Sequence, residues 1–282
     1  MLGRSLSAVN PQAAQKAAVF SPGQYLQQRF SVARSNCKGG VVLKHLSNSI
    51  LAVALFGACG LLSWHLLSKA DFFFAQIYEY NELEDHIDHY APQNRNRDDF
   101  EVTTRQERVR IFGEIVTAIN SGGSGLDDIE YRTRSGEKID KFLTSPEIEH
   151  LSDVSDLVSY AHRIGLIVAG ALAIFYFSCR AHKSIKGTHL WRPASVASSF
   201  ISMLILSSTI VAAVFAVGPQ TVFYALHEVF FADKAQWYFY FQESLMTTLM
   251  PESVFATIAV MLFLVTLMLW TLFSILITKF LK

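Results

Sequence analysis

The sequence predicts an all-α integral membrane protein: four transmembrane helices, with a helical extracytoplasmic domain between the first and second spans. Four apolar runs, near 46–67, 164–179, 196–217 and 254–278, approach the ~20 residues a helix needs to cross ~30 Å of hydrocarbon. Charge is segregated along the chain. From Met1 to Asn48 there are six basic residues and no acidic one, whereas Lys69 to Asp156 holds 20 acidic and 10 basic residues. The two ends of the first apolar run therefore face different compartments. A chain that is 51% hydrophobic and 13% aromatic, with 24 Lys+Arg against 24 Asp+Glu, fits a membrane protein with one sizeable polar portion.

Residues 1–45 form a basic tail rich in Ser, Ala, Gln and Arg, with Pro11 and Pro22. Its composition is shared by organellar transit peptides. We read it as a flexible cytoplasmic arm held inside by its positive charge. The first span follows at 46–67, with Trp64 and His65 marking its outer interface.

The polar domain, 68–155, has no cysteine, since Cys37, Cys59 and Cys179 fall in the tail or in apolar runs. No disulfide can order it, so it needs a small core and packing on the spans. Val109, Phe112, Ile115, Val116 and Ile119 recur at three- and four-residue steps, one face of an amphipathic helix over 104–119. Thr103 or Thr104 with Glu107 offers a capping box ahead of it. Arg95 to Asp99 reads as a charged loop, and SGGSG at 121–125 as a turn. A helix start is then signalled by Thr144 or Ser145 as cap, Pro146, and acids at Glu147 and Glu149. That helix is expected to run unbroken into the second span.

Arg180, Lys183, Lys186 and Arg192 make a basic loop that reads as cytoplasmic. The third span exits at Gly218 and Pro219, and the last ends at Lys279 and Lys282, also on the basic side. The three-span region is 156–282, with an interfacial loop at 218–253. Within that loop the stretch from Phe223 to Phe241 is dense in aromatic rings and also carries His227, Glu228 and Asp233. It is expected to lie along the interface as a short helix and loop.

This topology puts two histidine-bearing segments on one face, EIEHLSDV at 147–154 and ALHEVFF at 225–231. His150 and Asp153 are three apart and share a helix face, and a neighbouring carboxylate raises the basicity of an imidazole. Glu149 and Glu228 adjoin the two histidines in sequence. A pair of such histidines could pass protons to and from a substrate near neutral pH. His86, His89, Asp85 and Asp88 form another cluster, better read as a solvated charged turn than as a metal site. The chain has no GxSxG elbow, Gly-rich phosphate loop or HExxH helix, and neither a cofactor nor a nucleic-acid partner is expected.

E-x-x-HLxDV at 147–154, LHExFFxxxxxW from Leu226 to Trp237, an acid-Ser-Leu segment at 243–245 and L-x-P-E-x-x-F from Leu249 to Phe255 resemble a family of bacterial integral membrane proteins. That family includes the lipoprotein intramolecular transacylase, Lit. The likeness is good over about 145–260 and faint across 70–143. It implies a multi-pass protein of the bacterial cytoplasmic membrane with an extracytoplasmic active site. The implied reaction moves an acyl chain from the glyceryl ester of a lipoprotein's lipidated cysteine to its α-amino group, giving a lyso-form lipoprotein. Catalysis falls to His150 and His227, supported by Glu149, Asp153 and Glu228, with Phe230, Phe231 and Trp237 holding substrate. Lipoproteins and membrane lipid are the implied partners. A four-span scaffold without catalysis is the other reading, and the separation of the two histidines discriminates between them.

Overall fold

The computed structural model describes residues 48–186, 196–231 and 236–281. The chain divides into units 1–51 and 52–282. Of the first, only the opening of a helix is described, and everything below concerns the second. The amino-terminal tail lies outside the described residues.

Four long helices, α1 (Asn48–Ser68), α5 (Ser145–Lys186), α6 (Val196–Val217) and α9 (Glu252–Leu281), are long and apolar enough to cross a membrane. Between α1 and α5 lie α2 (Phe74–Tyr80), α3 (Leu83–Tyr90) and α4 (Arg105–Asn120). The short helices α7 (Pro219–Phe231) and α8 (Leu245–Leu249) precede α9. The expected helix at 104–119 is α4, and Thr104 caps it by accepting the Glu107 N–H at 3.2 Å. The Glu107 carboxylate turns to Arg110 instead of back to the cap, so only half of a capping box forms. The run from Pro146 into the second span is continuous, as the absence of any interior Pro or double Gly permits.

Two features of the polar domain were not foreseen. A two-stranded antiparallel hairpin pairs β1 (Glu130–Arg132) with β2 (Lys138–Lys141), its turn closing at Gly136 with φ +87°. Tyr131 is buried there against Phe100 and Phe142. Beyond α1 the chain passes through three consecutive left-handed residues, Asp71, Phe72 and Phe73, at φ 46°, 50° and 54°. Such conformations cost on the order of 1–3 kcal/mol each for side-chain-bearing residues. Burial of Phe72 against Trp64 and stacking of Phe74 on Phe112 at 3.8 Å offset that strain.

The polar domain does not close its core alone. Its apolar cluster, built on Phe74, Ile77, Leu83, Ile87, Ile111, Phe112 and Ile115, continues into Leu245, Met246, Leu249, Met250 and Val254. Polar ties reinforce the junction. Trp64 Nε1 donates to Asn120 Oδ1 at 3.0 Å, Ser155 Oγ to the Ile119 carbonyl at 2.7 Å, and Asn81 Nδ2 to Thr257 Oγ1 at 3.3 Å. In the bundle, α1 meets α5 where Gly165 faces Leu61, leaving no room for a Cβ. Thr266 Oγ1 donates to Ser63 Oγ at 3.1 Å, joining α1 to α9.

A fragment of residues 69–143 lacks seven buried members of this shared cluster, Leu67, Leu151 and the five from Leu245 to Val254. It is expected to show no cooperative thermal transition by circular dichroism, and a sharp melt would prove that the domain folds independently.

Candidate active site

The site begins with a capping arrangement. The sequence Thr-Ser-Pro-Glu starts α5 with Thr144 as cap, and the Glu147 carboxyl reaches back to accept the Thr144 N–H at 2.5 Å and its hydroxyl at 2.7 Å. The other oxygen, Oε1, accepts the Ser244 hydroxyl at 2.5 Å. Glu147 and Ser244 are both 0% exposed. Ser244 in turn caps α8 by accepting the Thr247 N–H at 2.9 Å.

One helical turn beyond Glu147, His150 is buried close to this contact. The segment 236–244 is pinned from its other side as well. The Arg95 N–H donates to the Gln242 carbonyl at 2.8 Å, Asn94 Nδ2 to the Phe241 carbonyl at 3.2 Å, and Asn96 Nδ2 to the Glu243 carbonyl at 2.9 Å. Tyr90 packs on Phe241 with centroids 4.3 Å apart. The loop expected at 95–99 thus acts as a strap, and it sets Phe239 beside His150 at 6.0 Å.

Helix α7 brings the second histidine. It starts at Pro219, after Gly218 has turned the chain out of α6 with φ +101°, a conformation that favours glycine. The His150 and His227 rings come to 6.1 Å between centroids, tilted by 34°. Phe231 lies 5.1 Å from His150 and 5.6 Å from His227, closing one side. Phe223 and Trp237 lie 4.0 and 5.1 Å from His227.

The two imidazoles differ in environment. His227 Nδ1 lies 2.9 Å from the Phe223 carbonyl, which can only accept, so Nδ1 is the donor and Nε2 is not engaged by this contact. His150 is 7% exposed, and its Nδ1 has no partner among the described residues. Burial pulls the His150 imidazole down to about 4, with a further push from His227, while Asp153 opposes both. The apolar run of α5 begins only at Ile164, so His150 stands before the spanning part.

Of the residues singled out in sequence, His150, His227, Phe231 and Trp237 meet here, with Asp153 acting on His150 through its charge. Glu149 and Glu228 are exposed. Each is the direct sequence neighbour of a histidine, and neighbours on a helix point about 100° apart. Phe230 is likewise 51% exposed and on the outside of α7. Asp233 and Lys234 lie outside the described residues. Sequence reasoning passed over Glu147 and Ser244 as site residues. The signal for Glu147 was its place three residues before His150, one turn away on the same face. Ser244 stood in the acid-Ser-Leu segment at 243–245, with nothing local to tie it to Glu147 or to a histidine. In the 85–89 cluster His86 and His89 both pack on Tyr90, and no group of three potential ligands forms among the described residues.

A membrane protein with four helices long enough to span and a pair of histidines packed among aromatic rings is the class these observations define. The sequence model of the family described as lipoprotein intramolecular transacylase Lit matches residues 126–255, the part of the chain that carries both histidines. The resemblance read from the motifs is thereby shown. Two solved structures of the membrane integral lipoprotein intramolecular transacylase Lit from Bacillus cereus, one with a histidine replaced by arginine and one by alanine, share the fold. They are 13% and 12% identical, cover 88% and 87% of this chain and 96% of their own, and superpose with a TM-score of 0.54. At such identity the likeness speaks for the fold alone. No curated protein matches the chain.

Two measurements follow from the site. In histidine-labelled protein studied by NMR, the His150 ring is expected to remain neutral at pH 5.5, where an ordinary imidazole of pKa about 6.5 is roughly nine-tenths protonated. A His150 signal titrating near 6.5 would contradict the burial described. Ser244→Ala strips a donor from the buried Glu147 carboxyl and a cap from α8. It should lower unfolding stability by about 1.5–3 kcal/mol, read as a fall in thermal midpoint in detergent.

Proposed function

We propose that the paired-histidine pocket carries out acyl transfer within a lipidated cysteine of a bacterial lipoprotein, moving a chain from the glyceryl ester to the α-amino group. The observation that carries this reading is the 6.1 Å separation of the His150 and His227 rings, within the region matched by the transacylase family. That separation supports the enzyme reading over the scaffold. Rings at that distance can both reach one ester and one amine.

In this mechanism donor and acceptor belong to one molecule, so no covalent enzyme intermediate is required. Held geometry alone supplies several kcal/mol of the barrier. The neutral amine attacks the ester carbonyl, the nitrogen loses one proton, and the departing glyceryl oxygen gains one. His227, with Nδ1–H locked on the Phe223 carbonyl, presents Nε2 as the acceptor of the amine proton. That proton is then returned to the glyceryl oxygen. His150, held neutral by burial, is a poor carrier of a second positive charge. Its part is a ring N–H donated to the oxygen that develops negative charge. Asp153 acts on His150 through its charge and the carboxyl of Glu147 holds the start of α5, while Phe231 and Trp237 wall the acyl chains, with Phe230 at the outer margin.

In the proposed orientation both termini are cytoplasmic and the pocket opens at the extracytoplasmic face, where lipoproteins display their lipidated amino termini. The charge asymmetry of the sequence supports it. A terminal tag reached by an impermeant reagent in intact cells would overturn it.

The test is mass spectrometry of a lipoprotein's amino-terminal peptide from cells expressing variants of this chain. His150→Ala and His227→Ala should each lower formation of the lyso-form by about 10²–10⁴-fold, with protein levels maintained. Wild-type rates from both variants would leave the scaffold reading in place.

A further inference from the structure

A second ring cluster adjoins the histidine pair through Trp237. Tyr224 lies 6.0 Å from Trp237 and 5.8 Å from Tyr238, and Trp237 and Tyr238 meet edge to face at 6.1 Å. Three rings mutually within about 6 Å make a partial box. Glu252, the first residue of α9, lies at its edge. Gln220 Nε2 donates to Glu252 Oε1 at 3.2 Å, and the Tyr224 hydroxyl donates to the same oxygen at 3.5 Å. Among the described residues no cation forms an ion pair with this carboxylate, and Oε2 carries none of its hydrogen bonds.

Aromatic rings at a membrane surface are common, and headgroup-depth anchoring would account for them alone. It does not account for a carboxylate oriented by Gln220 and Tyr224 against the same rings. The faces of Trp and Tyr rings attract cations, and an aromatic box backed by a carboxylate is a receptor for an ammonium group. We infer that Tyr224, Trp237, Tyr238 and Glu252 bind a primary ammonium, the α-ammonium of the substrate's lipidated cysteine. This inference rests on the transacylase reading and extends it to substrate selection.

The location suits that task. Tyr224 and His227 are one turn apart on α7, and Trp237 lies 6.0 Å from Tyr224 and 5.1 Å from His227, adjoining both. An α-amino group has an ordinary pKa of about 7.7–8.0, so most substrate arrives protonated. Captured as ammonium, it is held next to the histidine pair, and once its proton is lost the neutral amine has no charge to keep it in the box. A lipoprotein already acylated on nitrogen would have no ammonium to offer and would be discriminated against. Phosphatidylethanolamine carries the same chemical group, so the test must separate the two sources.

The full chain would be placed in nanodiscs of phosphatidylglycerol and titrated with a diether-linked cysteinyl lipopeptide, which cannot undergo transfer. The free-amine form and its N-acetyl counterpart would be compared at pH 6.5, where the amine is almost entirely protonated. The free-amine ligand should bind about 5- to 30-fold more tightly. Glu252→Gln and Tyr238→Leu should each bring that ratio close to one while leaving the affinity of the N-acetyl ligand unchanged. Equal binding of the two ligands by the unsubstituted protein, or a ratio untouched by either variant, would overturn the inference and leave the transacylase reading standing. Binding of neither ligand would sink both. Adding phosphatidylethanolamine to the discs should not weaken the free-amine ligand, and competition by it would assign the box to a lipid headgroup instead.

Discussion

The site depends on one buried carboxyl group. Glu147 accepts from the backbone and hydroxyl of Thr144 and from Ser244, and so joins the start of α5 to a segment almost a hundred residues further along the chain. A buried carboxyl left without donors would carry a large desolvation penalty, so these three partners are held together or lost together. Because His150 sits one turn beyond Glu147 and Phe239 a few residues before Ser244, the same contact decides what surrounds the imidazole. The straps from Asn94, Arg95 and Asn96 repeat the constraint from the opposite side.

This arrangement also explains why two histidines with similar sequence settings behave differently. His227 lies on a short helix that satisfies its Nδ1 internally, leaving Nε2 outside that contact. His150 lies between Phe231, Phe239 and the other ring, where apolar walls disfavour charge more than Asp153 restores it. In the proposed mechanism this difference lets one residue type serve as a base and as a neutral donor. The distinction comes from packing, with no difference in the side chains.

The polar domain is a scaffold for this geometry as much as a domain in its own right. Its core is completed by Leu245 to Val254, so the chain between the third and fourth long helices is both the floor of the domain and the wall of the site. Buried Arg108 strengthens the domain from within, donating to Thr103, Tyr78 and the Glu101 carbonyl while facing the Glu84 carboxylate at 3.2 Å.

Sequence by itself determined the elements whose signal is local and repeated. Four apolar runs, the amphipathic face from Val109 to Ile119 and the Thr-Ser-Pro-Glu helix start appear where the residues place them, because periodicity and capping act within one or two turns. The histidines were legible through motif resemblance, and their meeting followed from putting basic loops on one side. Only the tertiary structure decided the rest. Glu149 and Glu228 seemed natural partners as chain neighbours, yet adjacent residues on a helix diverge, and both are exposed. Glu147 and Ser244, or Tyr224 and Glu252, lie tens of residues apart and carry no shared local pattern. Their pairing is set by how α5, α7 and α9 pack, and a linear pattern records side-chain chemistry without recording which faces that packing brings together.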